Sequence, residues 1–470
     1  MRKIKLCYIG GGSKMWARVF MSDLALKEGL GGEIALYDID VESAKRNQLI
    51  GGYINKNPKA LSKFDYKVYE NIENALIGSD FVIISILPGT FEEMRSDVHE
   101  PEKYGIYQSV GDTAGPGGIL RAMRTVPIYI DFAKKIKEYA SDAWVINLTN
   151  PMTILTKTLY EEFKEIKAFG CCHEVLHTLK LFSVILKKLK NIDAEKEDLS
   201  VDVAGLNHFT WIDKAYYKDI DILKLIPEFE EKYAKDGYYE EGNDPFAFKY
   251  DPFAYGNTVK FDLMHKYGIL PAAGDRHLAE FCPNDWYLKD KETVKKYHFN
   301  LTTVDYRIED QKKKIEDTIL YSTGKKEFVL EKSAEELVDM ILALLGMKKL
   351  ITNVNYPNHG QIEALGYNDI VETNCVFSAN MVNPLLTNKL PDGVNELLIK
   401  QSNSLNNCYK GIKEKDYKLI FKSFLNQQLC KNLKLDDAKE LFINMCENTK
   451  KYLEPYYDLN KLKEEIRSYR

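Results

Sequence analysis

Four short polar motifs in the middle of the chain carry the residue types that could do chemistry. Thiols and imidazoles bind metals, an imidazole also transfers protons near neutral pH, and amides hydrogen-bond to hydroxyl groups. In chain order the motifs are Asp112-Thr-Ala-Gly-Pro-Gly-Gly118, Asn147-Leu-Thr-Asn-Pro-Met152, Cys171-Cys-His-Glu-Val175 and Gly205-Leu-Asn-His208.

A glycine-rich turn near the start of the chain predicts a nucleotide site. Gly10, Gly11, Gly12 and Ser13 follow an apolar run and precede a helical segment. Glycines let the backbone turn sharply and approach a diphosphate, whose charge then lies at the helix N-terminus. Asp38, at the end of the next apolar run, can accept hydrogen bonds from a ribose and favours NAD over NADP. A tight turn without a ligand is the alternative.

The elements that must position these motifs are predicted by the first half of the chain. Apolar runs alternate there with helical stretches, which is typical of a parallel sheet with helices on both faces. Because ligands bind at the carboxyl ends of such strands, motifs that follow strands should meet at one edge. The predicted strands are Lys5–Ile9, Glu33–Tyr37, Phe81–Ser85, Ala143–Asn147, Ala168–Cys171 and Val201–Ala204.

The pattern changes after about residue 210. Tyrosine, phenylalanine and lysine become dense, and the segments 333–349 and 408–470 have the apolar spacing of helices. We therefore predict an α/β fold with two parts. Residues 1–205 form a Rossmann-type, doubly wound NAD-binding domain, and residues 206–470 form an α+β lobe for substrate binding and oligomerisation.

The bulk composition excludes some partners. A formal net charge of −5 over 470 residues gives no excess of positive charge that would indicate nucleic-acid binding. No run approaches the ~18 apolar residues of a membrane span, and the first residues do not resemble a signal peptide. The eight cysteines are scattered apart from one adjacent pair, so we expect reduced thiols in a cytoplasmic protein.

Taken in order, the nucleotide turn, GPGG with RAMRT, TNPM, CHEV and GLNH resemble glycoside hydrolase family four, the NAD- and manganese-dependent group. That family is an exception to hydrolysis by two carboxylates. The run from Asn353-Val-Asn355 to Ile370-Val-Glu372 is also similar to a family segment, so the resemblance spans most of the chain. It implies NAD and Mn²⁺, or another divalent metal, as cofactors and a homodimer or homotetramer.

The residues after the second cysteine differ between subgroups of that family. Cys172-His-Glu-Val175 resembles the α-galacturonidase subgroup, whose substrate is a pectin-derived uronide. Neutral α-galactosidase and α-glucosidase types resemble Cys-His-Gly or Cys-His-Ser, and they remain the alternatives. The resemblance implies cleavage of an α-glycoside through NAD-mediated oxidation at C3, loss of the C2 proton and elimination, with a divalent metal as Lewis acid.

The resemblance also implies roles for individual residues. Cys172 and His208 become the metal ligands, although alone the first could be a small buried hydrophobic residue and the second a core histidine. His173 takes the position of the general acid, a role that an imidazole can fill. For the base that removes the C2 proton we predict Asp275, with His277 as the alternative. Asp275 could instead form an ion pair or a turn.

The remaining predictions concern the sugar. Asn150 and Asn207 should hydrogen-bond to its hydroxyls, although Asn150 could instead cap a helix that begins at Pro151. Glu174 should contact the substrate or orient His173.

A uronide carboxylate needs a cation, and arginine offers a bidentate fork. Arg124 and Arg276 are the predicted candidates, together with Arg95. Arg121 and Arg124 are three residues apart on one helical face, so both could point into the cleft.

Two rival classes share the nucleotide turn. A malate- or lactate-type dehydrogenase needs a His–Asp pair and arginines but no metal-binding cysteine. A protein that senses NAD without catalysis would bind the nucleotide and turn nothing over.

Overall fold

A computed structural model describes residues 2–240, 244 and 246–470. Within these ranges, thirteen strands form a single mixed sheet. The strands are β1 (Arg2–Ile9), β2 (Leu30–Tyr37), β3 (Lys63–Tyr69), β4 (Phe81–Ile84), β5 (Trp144–Asn147), β6 (Lys167–Gly170), β7 (Leu199–Leu206), β8 (Phe209–Tyr217), β9 (Ile220–Asp221), β10 (Leu270–Pro271), β11 (Leu350–Pro357), β12 (Ile370–Ser378) and β13 (Met381–Pro384).

The helices cover both faces of this sheet, because alternate residues of a strand enter different cores. Cys7 and Ile9 of β1 lie in one buried cluster, whereas Leu6 and Tyr8 lie in another. The helices are α1 (Trp16–Ala25), α2 (Val41–Ile54), α3 (Ile72–Leu76), α4 (Phe91–His99), α5 (Gly115–Tyr139), α6 (Met152–Glu162), α7 (Glu174–Lys190), α8 (Ile226–Tyr233), α9 (Thr258–Tyr267), α10 (Asp275–Glu280), α11 (Asn284–Tyr287), α12 (Lys291–Lys296), α13 (Val304–Ser322), α14 (Leu337–Leu344), α15 (Asp392–Glu414), α16 (Tyr417–Leu425), α17 (Leu435–Asn448), α18 (Lys450–Leu453) and α19 (Leu459–Arg467).

The first six strands pair in parallel in the order β3-β2-β1-β4-β5-β6. This order reverses direction between β1 and β4, as in doubly wound dinucleotide-binding sheets. The predicted Rossmann-type α/β fold is therefore confirmed. The sequence pattern missed β3, because this edge strand alternates exposed and buried residues and has no continuous apolar run.

The second half of the chain extends the same sheet. The strand β11 pairs antiparallel with β6, and β12, β7, β8 and β10 follow in that order. The predicted division at residue 205 falls inside β7, and it stays a prediction. Among the described residues, no helix is both long and apolar enough to cross a bilayer.

The register brings the predicted motifs to one edge. Asn147 at the end of β5 pairs with Gly170 at the end of β6, and Gly170 pairs with Asn355 of β11. Gly205 of β7 pairs with Glu372 of β12. The TNPM and CHEV segments therefore leave the sheet from neighbouring strands. The GLNH segment leaves it three strands further along the same row, because Asn355 pairs with Glu372.

Candidate active site

The turn after β1 leaves no room for side chains. The N–H groups of Gly10 and Gly11 both donate to the Tyr37 carbonyl at 2.9 Å, which draws the turn against β2. A Cβ on Gly10 would lie 1.9 Å from the Ser85 carbonyl oxygen, and its φ of +97° also disfavours a side chain. A Cβ on Gly11 would lie 2.9 Å from that of Leu36. The bare backbone of this cradle fits a diphosphate that must come close.

Asp38 is held beside the cradle by backbone donors. Its Oδ2 accepts from the Gly12 N–H at 2.8 Å, and its Oδ1 accepts from the Asp40 N–H at 2.8 Å. The Ser13 N–H donates to the Gly10 carbonyl at 3.0 Å and closes the turn. Each carboxylate oxygen keeps capacity for a second donor, as a ribose hydroxyl would supply. The predicted nucleotide residues are thus brought together and fit a dinucleotide.

Cys172 and His208 follow the strands β6 and β7, which β11 and β12 separate in the sheet. Burial raises the pKa of the Cys172 thiol well above its usual value, and the carboxylates of Glu372 and Glu174 add to this rise. The nearby Asn207 side chain acts in the opposite direction. A thiol and an imidazole among carboxylates form a donor set whose charge favours a divalent cation. These residues therefore fit the implied metal.

Hydrogen bonds that link Asp112, Thr113 and His208 determine which nitrogen of His208 is free. Burial raises the pKa of Asp112, but Arg121, His208 and His277 outweigh it and lower that pKa to about 2. The ionised Asp112 Oδ1 accepts the Thr113 hydroxyl proton at 2.7 Å. Because this hydroxyl has one proton, His208 Nδ1, 3.0 Å from the Thr113 oxygen, must donate to it. Nε2 then keeps the lone pair that a metal requires.

His277 lies directly against His208, with ring centroids 3.9 Å apart. Its Nε2 is 3.4 Å from Glu174 Oε1, and Glu174 Oε2 accepts the Gly274 N–H at 3.1 Å. Burial lowers the pKa of His277, but Glu174 and Asp112 outweigh it and raise that pKa above its usual value. Glu174 thus orients a proton-accepting imidazole at the centre of the cluster.

Asp275 has a different environment. It is fully buried, and its Oδ1 accepts the Lys260 N–H at 2.9 Å in the first turn of α9. Burial raises its pKa to about 7. The structure therefore uses one oxygen of the predicted base to hold α9 and leaves Oδ2 without a hydrogen-bond partner among the described residues, while its alternative, His277, contacts His208. Both side chains belong to α10, two residues apart.

Two asparagines offer acceptors to a ligand. Asn207 Nδ2 donates to Glu372 Oε2 at 3.2 Å, and the Oδ1 atoms of Asn207 and Asn150 are buried without a hydrogen-bond partner in the described chain. Asn150 does not cap a helix, since α6 begins at Met152 and no side chain caps it. Unpartnered buried acceptors fit sugar hydroxyl groups.

His173 lies at the rim, with 40% of its side chain exposed. Its Nε2 is 3.9 Å from Glu174 Oε1, its Nδ1 is 3.6 Å from Glu335 Oε1, and its ring lies 5.8 Å from Trp16 at the start of α1. Ligand atoms of His173, Glu174 and His177 lie within 4.8 Å of one another. The predictions omitted His177, although its i, i+4 spacing from His173 was visible in the sequence.

The predicted arginines already have protein partners. Arg124 and Asp97 form a bidentate ion pair with side chains 2% and 1% exposed. Arg276 donates to the carbonyl oxygens of Ser109 and Asn300 and to the Thr302 hydroxyl, at 2.6 to 3.2 Å.

Arg95, the third candidate, is paired with Glu92 at 3.1 Å and Asp305 at 2.7 Å. None of the three guanidinium groups is left without a partner.

Two buried carboxyl groups were not predicted as site residues. Glu372 accepts from Asn207 and from Asn353 at 2.6 Å, and burial raises its pKa to about 7. Glu280 accepts from the Val110 and Gly111 N–H groups and so holds the loop before Asp112. The only sequence signal for Glu372 was its place in a segment that resembles the family. Glu372 reaches the site through the β12–β7 pairing, which the sequence alone does not show. Glu280 has no local signal.

Comparison with known proteins agrees with this geometry. The model of "Family 4 glycosyl hydrolase" matches residues 5–188, and that of its C-terminal domain matches residues 203–430. An alpha-galacturonidase of Thermoanaerobacterium saccharolyticum is 51% identical over 452 residues, which cover 96% of this chain and 97% of that protein.

Solved structures agree in fold. The crystal structure of a Bacillus subtilis protein named as a glucosidase, lplD, has a TM-score of 0.89 at 42% identity, covering 95% of this chain and 100% of that one. A 6-phospho-alpha-glucosidase from gut microorganisms, solved with NAD and Mn²⁺, has a TM-score of 0.78 at 21% identity and covers 96% and 99% of the two chains. The dehydrogenase alternative is not favoured, and the chain belongs to family 4 of the glycosyl hydrolases.

Proposed function

We propose that this chain is an NAD- and divalent-metal-dependent α-galacturonidase. The observation that carries the proposal is the 51% identity to a protein of that name over nearly the whole length of both chains. The cluster of Cys172, His208 and His277, with the glycine cradle at the first turn, supports the cofactor requirement. An α-galactosidase or α-glucosidase of the same family is the alternative.

The cofactors act at two parts of one cleft. NAD supplies a hydride acceptor and a divalent cation such as Mn²⁺ supplies Lewis-acid polarisation of the substrate's oxygens. Gly10, Gly11 and Gly12 would hold the diphosphate, and the Asp38 carboxylate would bind the ribose and repel a 2′-phosphate. Cys172 and His208 would hold the cation, with His208 oriented by the Thr113 hydroxyl.

Protons move through two histidines in this proposal. His277 accepts the proton from carbon 2 of the sugar, since Glu174 orients its ring and raises its pKa, which strengthens the base. His173, half exposed at the rim, donates a proton to the departing glycosidic oxygen. Asn150 and Asn207 accept hydrogen bonds from sugar hydroxyls. Asp275 holds α9 and touches no substrate.

A panel of p-nitrophenyl glycosides tests the proposal. We expect turnover of the α-galacturonide in the presence of NAD, Mn²⁺ and a thiol reductant, and loss of turnover after dialysis against a chelator. Preference for the neutral α-galactoside or α-glucoside would assign the alternative. Binding of NAD without turnover of any glycoside would indicate a protein that senses NAD without catalysis.

We further propose a cytoplasmic homodimer or homotetramer. All eight cysteines are free, which suits a reducing compartment. Exposed apolar side chains on two strands that both pair with β12, Ile351 of β11 and Met381 of β13, support an interface. Light scattering coupled to size exclusion measures the mass; a monomer at all concentrations would contradict the oligomer.

A further inference from the structure

One buried guanidinium near the cluster has no hydrogen-bond or ion-pair partner in the part of the chain that the structure describes. In the described part of the chain the buried arginines are Arg18, Arg121, Arg124 and Arg276, and all but Arg121 donate hydrogen bonds to protein groups. Arg121 is 8% exposed, its guanidinium forms neither a hydrogen bond nor an ion pair with the described residues, and its Nε is among the unpartnered buried atoms. A buried cation without a partner is costly unless a ligand supplies one.

A second guanidinium, that of Arg307, lies close enough to lower the pKa of Arg121. Arg307, near the start of α13, is half-buried, and its guanidinium forms no hydrogen bond or ion pair with the described residues. Its guanidinium lies over the Phe253 ring, 5.6 Å from the centroid, and that of Arg276 lies 5.2 Å from the same ring. A small cleft is lined by Arg307, Phe253 and Arg276, together with Pro252, Thr302 and Tyr306.

The charges around these two arginines do not balance. Asp112 is the carboxylate that acts on the pKa of both Arg121 and Arg307, and one of its oxygens already accepts the Thr113 hydroxyl. Asp97 is paired with Arg124, and burial raises the pKa of Glu280 to about 7. Asp310 also acts on the pKa of Arg307, but it is paired with Lys314 at 2.6 Å. Asp112 is therefore the one carboxylate near both guanidinium groups that is not paired with another cation in the described chain.

We propose that Arg121 and Arg307 bind the carboxylate of a uronide substrate and so determine specificity for a charged sugar. This assignment rests on the proposed α-galacturonidase function and names its carboxylate site. A guanidinium presents a planar fork that matches a carboxylate, and a neutral hydroxymethyl group would leave both cations unpaired. Arg124, Arg276 and Arg95 are excluded because each guanidinium already forms an ion pair or hydrogen bonds with protein groups.

The test compares two substrates on matched variants. Arg307→Gln should lower kcat/KM for p-nitrophenyl α-galacturonide by roughly ten- to a hundredfold and change that for the α-galactoside by less than about threefold. Arg307→Lys should keep part of the preference, because the charge remains without the fork. Arg467→Gln, exposed on α19, is the control and should behave as wild type.

Binding gives a readout apart from turnover. Galacturonate should raise the melting temperature of the NAD-loaded wild-type protein and of Arg467→Gln, but not that of Arg307→Gln. Galactose should change the melting temperatures of both variants by the same amount as that of the wild-type protein. Arg121→Lys should lose the galacturonate shift as well. If this buried substitution prevents folding, Arg307→Gln carries the test alone, because Arg307 is partly exposed.

The outcomes separate the two levels of the proposal. A wild-type enzyme that cleaves neutral α-glycosides and ignores uronides removes the proposed function, and this assignment with it. A wild-type preference for the uronide that survives in Arg307→Gln, together with an unchanged galacturonate shift, overturns the assignment alone. Loss of preference with retained galactoside turnover and NAD affinity supports it.

Discussion

The nucleotide turn and the catalytic cluster are built in opposite ways. The turn follows β1 and is held against the adjacent parallel strand β2, because the N–H groups of Gly10, Gly11 and Gly12 donate to the Tyr37 carbonyl and the Asp38 carboxylate. The cluster is assembled by side chains that come from five separate segments, between Asp112 and Glu372. A backbone site depends on the absence of Cβ atoms, whereas a side-chain site depends on charge balance. A substitution in the nucleotide turn should therefore leave the catalytic cluster intact, and the reverse should also hold.

The largest effect should come from the thiol and imidazole of the cluster. His208→Ala and Cys172→Ser should each lower metal-dependent turnover by about a thousandfold or more, since several kcal/mol of Lewis-acid stabilisation disappear. NAD affinity, measured by fluorescence titration, should stay within about twofold. Cys171→Ala, in the apolar core beside Phe169, is the control. Equal losses at the two cysteines would mean that the wrong sulfur has been chosen.

His277→Gln and Asp275→Asn should separate proton transfer from support of the fold. We expect His277→Gln to lower kcat by about 10²- to 10³-fold, the usual contribution of a general base. Asp275→Asn should lower kcat much less, because its carboxylate contacts α9. Steady-state rates and solvent exchange at carbon 2, followed by NMR in D₂O, distinguish the two. Loss of exchange in Asp275→Asn but not in His277→Gln would identify Asp275 as the base that removes the C2 proton.

Asp275 should also make stability depend on pH. Its pKa is about 7 in the folded chain and about 3.9 in an unfolded one. The folded state binds this proton more tightly, so the stabilisation is fully present below pH ~4 and is lost as pH rises through 7.

Relative to Asp275→Asn, we expect the wild-type free energy of unfolding to fall by about 2 to 3 kcal/mol between pH 5 and pH 8. Urea denaturation of both proteins at each pH measures this. A constant difference would show that Asp275 does not titrate in that range.

The smallest effect should come from the nucleotide turn. A Cβ on Gly12 would lie 2.9 Å from Asp38 Oδ2, so Gly12→Ala should displace that carboxylate and weaken NAD binding by about tenfold, or ~1.4 kcal/mol. Mn²⁺ affinity should not change. Gly52→Ala is a matched control, since nothing lies within 4 Å of its added Cβ. Equal NAD affinity in both variants would contradict the cradle.

Sequence reasoning succeeded where the signal is local. The apolar runs of β1, β2, β4, β5 and β6 are buried on both faces, so each is visible without its neighbours. The edge strand β3 lacks this signal because one of its faces meets solvent. The glycine turn and Asp38 were visible because adjacent strands bring them together.

The arginines show where such reasoning stops. RAMRT places Arg121 and Arg124 on one face of α5. Only the packing of α4 gives Arg124 its partner Asp97 and leaves Arg121 without an ion pair among the described residues. The choice between Asp275 and His277 also depends on distant elements. Lys260 of α9 engages the first, and His208 after β7 contacts the second.

The sequence by itself determined the parallel α/β half, the nucleotide turn and the set of polar segments that reach one edge of the sheet. These features follow from local patterns of apolar residues and glycine, whose causes lie within a few residues or between neighbouring strands. Only the tertiary structure decided which carboxylates are buried, which arginine is unpartnered and which histidine lies against His208. Those properties depend on desolvation and on charges from segments up to hundreds of residues apart, and neither is encoded in local spacing.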